Sequence, residues 1–113
     1  MASVYNLAID QGTTFSANVQ VNDDSGSARD LTGFTARSQL RRSYFSTSNV
    51  EFTIGLSSPL TDGEVTMSLT AAKTANLKYG RYVYDLELVE TATGNVERIL
   101  EGIVTVYPEV TKL

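Results

Sequence analysis

Apolar and polar residues alternate along most of this chain. In FSANVQV, residues 15–21, the apolar positions are Phe15, Ala17, Val19 and Val21, with Ser16, Asn18 and Gln20 between them. A period of two marks a strand that buries one face. FTARSQL follows the same rule: Phe34, Ala36 and Leu40 take one side, and Thr35, Arg37 and Gln39 the other. VEFTIGL points Val50, Phe52, Ile54 and Leu56 inward, and EVTMSL does the same with Val65, Met67 and Leu69. YVYDLELVE and the long run VERILEGIVTVYPEV predict two further strands, the last ended or held at an edge by Pro108. VYNLAI near the start is another candidate strand.

The segments between are turn-like. NDDSGSARD is a polar loop, SSPLTDGE carries proline and Asp-Gly signals, and ETATGN is a turn. TAAKTANLKYG breaks the alternation. Its alanines, a threonine N-cap at Thr70 and Gly80 as the end of a helical turn predict one or two turns of helix. About seven strands with turns every eight to twelve residues and no βαβ rhythm predict an all-β, antiparallel sandwich or barrel. With 113 residues and no interior linker, the expectation is a single domain, 1–113.

Composition narrows the chemistry. The chain has no histidine and no cysteine. Ser-His-Asp and Cys-His catalysis, thiolate metal sites and ordinary zinc sites are therefore excluded. Only carboxylate, lysine or tyrosine chemistry remains. A net charge of −4, with Arg41-Arg42 the only adjacent basic pair, argues against a nucleic-acid partner. No apolar run reaches the roughly 20 residues of a membrane-spanning helix. MASVYNLAID lacks the basic start and apolar stretch of a signal peptide, so the expectation is synthesis in a cytoplasm without Sec export.

Several clusters invite two readings each. Asp85, Glu87 and Glu90 could act as paired acid and base or hold a hard cation, or they could line a solvent-facing strand. Tyr79, Tyr82 and Tyr84 could stack on a sugar. Tyr82 and Tyr84, however, share the inward parity of Leu86 and Leu88, which favours packing with a satisfied hydroxyl. Asp23, Asp24 and Asp30 do not match an EF-hand loop and read as a solvated turn. DQGTT, Asp10 to Thr14, lacks a phosphate-loop pattern, and Gly12 serves turn geometry. Arg37, Gln39 and Arg41 line one strand face, with Arg42 next to them. They could pair with an acidic neighbouring strand or dock on an acidic partner.

The ordered set DQGTTF, DLTGFTARSQLR, DGEVTMSLTAAKTANLKYGRYVYDLELV and VERILEGIVTVYPEVT resembles a family of small proteins and domains of tailed bacteriophages, including cyanophages. It is similar to the immunoglobulin-like N-terminal domain of phage baseplate upper proteins. The likeness runs from about Asp10 to Thr111, and its most specific pieces are residues 80–86 and 101–106. The resemblance implies an immunoglobulin-like antiparallel β-sandwich of about seven strands with one short connecting helix. It also implies a non-enzymatic virion protein, present in multiple copies in a tail, baseplate or neck and made in the host bacterial cytoplasm. Other virion proteins would be its partners, with no cofactor, nucleic acid or membrane. In larger baseplate proteins further domains follow; here the domain is nearly the whole chain, which leaves open a role as adaptor, wedge subunit, neck component or capsid decoration protein. A carbohydrate-binding attachment module is the alternative, and a carboxylate hydrolase a third.

The terminal segments 1–9 and 106–113 are the expected assembly arms, unless they are edge strands of their own sandwich. The expected contact residues are Arg37, Arg41, Arg42, Tyr44, Phe45, Tyr79, Asp85 and Glu87.

Overall fold

A computed structural model describes residues 2–111. In chain order its elements are β1 (Ser3–Val4), β2 (Leu7–Asp10), β3 (Phe15–Gln20), β4 (Phe34–Arg41), β5 (Val50–Glu51), β6 (Thr53–Leu56), β7 (Glu64–Leu69), α1 (Ala71–Ala75), β8 (Gly80–Glu90) and β9 (Val96–Tyr107). A 3₁₀ turn, Leu60–Asp62, precedes β7. The strands form two sheets facing each other. One runs from β1 and β2, which both pair with β9, through β8 and β4 to β5; the other is β3-β7-β6.

Period-two parity explains the core. Along β8, Tyr82, Tyr84, Leu86 and Leu88 are buried, while Val83, Asp85, Glu87 and Val89 lie on the opposite face. Ile9, Leu40, Val65, Met67 and Val104 meet them from the neighbouring strands. Ser38 completes the inner face of β4, where the sequence pattern shows a polar gap. Its hydroxyl donates to the Asp85 carbonyl, so the buried oxygen is satisfied.

Two segments read as single strands are each divided in two. VEFTIGL splits at Phe52: β5 pairs with β4, whereas β6 pairs with β7 in the other sheet. The Phe52 amide donates to the Ser38 carbonyl at 3.0 Å as the chain crosses over. Its ring packs between Phe15 and Tyr84, with centroids 6.0 and 6.2 Å away. The first segment breaks at Tyr5 and Asn6, where the Asn6 side-chain oxygen accepts the Ile103 amide at 3.0 Å and replaces a ladder bond.

β1 and β2 run parallel to β9, a departure from the all-antiparallel expectation. A hairpin would force the opposite direction, but β2 leads into the other sheet, so nothing imposes one. Segment 1–9 is thus the edge strand of its own sheet from Ser3 onward, with Ile9 fully buried. Of segment 106–113, Val106 and Tyr107 end β9; Met1 and residues 112–113 lie outside the described residues.

The connecting helix starts as the sequence predicts, with Thr70 accepting the Lys73 amide at 3.2 Å. It ends earlier, at Asn76 rather than Gly80. Leu77 is buried and the chain turns there, leaving Gly80 as the first residue of β8. Two residues on, the Tyr82 hydroxyl donates to the Lys78 carbonyl at 2.8 Å, the bond that defines a tyrosine corner.

Tyr84 makes a longer link. Its hydroxyl donates to the Tyr5 carbonyl, tying β8 to the break between β1 and β2. Burial, reinforced by the Tyr5 phenol, pushes the Tyr84 hydroxyl from 10.0 up to about 12. A raised folded pKa means that stability is held below pH 10, where both states are neutral. It is lost as the pH climbs from 10 toward 12, because the unfolded chain ionises first. Denaturant midpoints of the wild type should therefore fall across this window more steeply than those of Tyr84→Phe; parallel slopes would refute the assignment.

Candidate interaction face

The outer face of the larger sheet carries Arg37, Arg41, Asp85 and Glu87, four of the five charged residues expected to make contacts. β4 and β8 pair so that Arg37 faces Glu87 and Gln39 faces Asp85. The Arg37 Nε lies 2.8 Å from Glu87 Oε1. The cross-strand reading of the basic strip holds at Arg37, whose acidic partner is on the adjacent strand. Arg41 turns its guanidinium to the Ser46 carbonyl at 2.5 Å and to Gln39 Oε1 at 2.9 Å.

Sequence reasoning missed Arg98 and Glu101. Arg98 lies 3.3 Å from both Asp85 and Glu101. Residues three apart share a strand face only if a bulge intervenes, and the β8–β9 register shifts between Leu86 and Glu87. The signal was present in the sequence: Ile99-Leu100 places two apolar residues in succession within an alternating run. Burial raises the Asp85 pKa, and the Glu87 charge adds to this, while Arg98 and Arg37 oppose it. The face is thus a closed ionic mosaic, with arginines interleaved among carboxylates. Each pair is partly solvated and contributes little to stability by itself.

An open cleft of about 680 Å³ borders this mosaic, lined among others by Gln39, Tyr44, Glu51, Asp85 and Arg98. Tyr44 sits in the 42–49 loop between β4 and β5, and its neighbour Phe45 is 95% exposed. Tyr79 is exposed too, just before β8. Arg42 does not join the charged face. It caps the foot of β8, donating to the Arg81 and Tyr79 carbonyls at 3.2 Å each, with its guanidinium 4.6 Å above the Tyr82 ring. This cap uses two of its five N–H donors, and the residue stays exposed.

The remaining candidates are local. Asp23 Oδ1 accepts the Ser25 and Ser27 amides at 3.0 and 3.1 Å, and Asp30 accepts the Thr32 amide at 2.9 Å. These bonds hold both carboxyls below the usual range, led by the side chains of Ser25 and Thr32 respectively. Glu90 accepts the Thr93 hydroxyl at 2.6 Å in the β8–β9 turn. Among the described residues, no three acidic side chains are grouped to hold a metal ion.

No protein-family model and no curated protein matches the chain. Among solved structures, the transglutaminase of red sea bream superposes with a TM-score of 0.61 at 15% identity, over 89% of this chain and 15% of its own. InlP of Listeria monocytogenes gives 0.49 at 14% identity, over 94% and 28%. This chain therefore spans a small part of either structure. At such identities the transglutaminase likeness shows the fold alone. The chain is an immunoglobulin-like β-sandwich. In this sandwich the ionic mosaic lies on the sheet formed by β9, β8, β4 and β5, and the exposed aromatic pair Tyr44-Phe45 stands in the loop at one end of it.

Proposed function

We propose that this immunoglobulin-like sandwich is a non-enzymatic assembly module of a tailed phage particle. It works by protein–protein contact in a tail, baseplate or neck, in several copies beside other virion proteins. The reading rests on the sequence resemblance from about Asp10 to Thr111. One structural observation supports a role in contact. Phe45, with Tyr44, projects from the 42–49 loop with no packing partner of its own. Exposed clustered apolar side chains beside polar ones are typical of interaction sites. The paired charges alongside suit a register-setting rim rather than catalysis, since each carboxylate already faces an arginine.

Mass spectrometry of purified particles tests this. The chain should be present in mature virions, and Phe45→Ser should lower its incorporation while leaving the melting temperature unchanged. A virion without the chain would overturn the reading. A second reading, a glycan-binding attachment module, is favoured by Tyr44 lining the polar cleft. It predicts glycan-array binding that Tyr44→Ala abolishes, and a blank array rejects it.

A further inference from the structure

The two sheets treat their edges differently. The larger sheet ends in β5, only two residues long and carrying Glu51, and on the other side in β1 and β2, interrupted at Tyr5 and Asn6. Short, broken or charged edges resist strand addition. β3 has none of these guards. It is six residues long, pairs with β7 alone, and contains neither a charge nor a proline. Its inward residues Phe15, Ala17 and Val19 are only half-buried, because no strand lies beyond them.

The hydrogen-bond parity of β3 follows from its end. The Val21 amide donates to the Gly63 carbonyl at 2.8 Å, on the β7 side. Successive residues of a strand point their backbone groups to alternate sides. Ser16, Asn18 and Gln20 therefore aim their N–H and C=O groups at the open edge. Next to that edge lies a groove of about 530 Å³, between β3 and the start of β9, lined by Val19, Val21, Ile99 and Leu100 among others.

We propose that β3 pairs antiparallel with β3 of a second copy, about a two-fold axis at Asn18. In that register Ser16 faces the second copy's Gln20, Asn18 faces Asn18, and every outward backbone group of the three residues finds a partner. The contact is isologous, so one sequence must complement itself. It does. No like charges meet, the asparagine NH2 can donate across the axis while its oxygen also accepts the Thr66 hydroxyl at 2.8 Å, and Phe15 of each copy falls opposite Val21, beside a groove that carries Asp23, Asp24, Arg29 and Glu97 as well as apolar residues. The two three-stranded sheets become one six-stranded sheet. A foreign strand could satisfy the backbone too; self-pairing is favoured because the side chains along β3 match under reversal. This pairing requires no phage particle.

Sedimentation equilibrium over a concentration series tests it, read together with site-resolved amide exchange. The wild type should move from the 12.3 kDa chain toward twice that mass. As it does so, exchange at the Ser16, Asn18 and Gln20 amides should slow. Asn18→Lys brings two ammonium groups together at the axis and should return the protein to monomer. Asn18→Pro deletes an outward N–H, along with the oxygen that accepts the Thr66 hydroxyl at 2.8 Å, and should do the same in a protein that still melts cooperatively. Thr53→Lys, on the β6 edge, should leave the dimer intact. A wild type that stays monomeric throughout overturns the proposal. So does a dimer that resists both Asn18 variants, or one in which protection appears along residues 53–56 instead.

Discussion

Leu86→Ala is expected to remove about 3–5 kcal/mol of folding free energy, the upper part of the range for truncating a buried leucine. Leu86 is 0% exposed at the middle of β8, the strand that pairs with both β4 and β9. Strands on both sides hold the backbone in place, so the site cannot collapse around the missing carbons, and the lost transfer energy is compounded by the cavity. Domains of this size are stable by only about 5–15 kcal/mol, so a large share of the total is removed. Denaturant titration would show the midpoint falling at an unchanged slope. Leu86→Met, which conserves volume, should cost less than about 1.5 kcal/mol. If alanine and methionine behave alike, Leu86 is not a packed core position.

Gly102→Ala should be nearly as damaging, by a different route. Gly102 has the inward parity of Leu100 and Val104, yet its place in the core is taken by backbone. A Cβ there would overlap the Tyr5 carbonyl oxygen and stand 2.9 Å from the carbonyl carbon. That same oxygen accepts the buried Tyr84 hydroxyl, and the Tyr5 amide donates to the Glu101 carbonyl at 2.9 Å. Alanine must push Tyr5 away and strand the hydroxyl. Overpacking and a lost buried hydrogen bond together cost about 2–5 kcal/mol. The damage should be local first: amide exchange along Leu7–Asp10 should accelerate before that of β7. Uniform acceleration across both sheets would contradict this picture.

The two variants mark where the sequence was readable. Leu86 announces itself by alternation, and so do Tyr82, Tyr84 and Leu88; their burial follows from period two whatever the partner strand. The outward placement of Asp85 and Glu87 follows by the same rule. Gly102 was also visible, as a glycine at an inward position of a long strand, a recognised mark of close backbone approach. What approaches it, a carbonyl nearly a hundred residues earlier in the chain, has no local signature.

The charged face shows the same division. Local pattern placed Arg37 with Gln39 and Arg41, and Asp85 with Glu87, but not the two rows against each other. Arg42 looked like a continuation of the basic strip; its neighbour in sequence follows the face, while it turns to cap the foot of β8. Arg98 entered because a bulge reset the register; Ile99-Leu100 marked that bulge in the sequence, but the strand it faces was decided only by the fold.

Alternation, turn residues and the absence of histidine and cysteine therefore determined by themselves an all-β sandwich or barrel with a buried strand at 80–90, and left no histidine or cysteine chemistry to these residues. These properties live within a few residues of chain, where side-chain period and backbone preference act. Tertiary structure alone decided that β1 and β2 lie parallel to β9, that the chain changes sheets at Phe52, and that β3 has a neighbour on one side only. Each of these is a choice between strands far apart in sequence, made by how their faces and hydrogen-bonding edges fit once the core has closed.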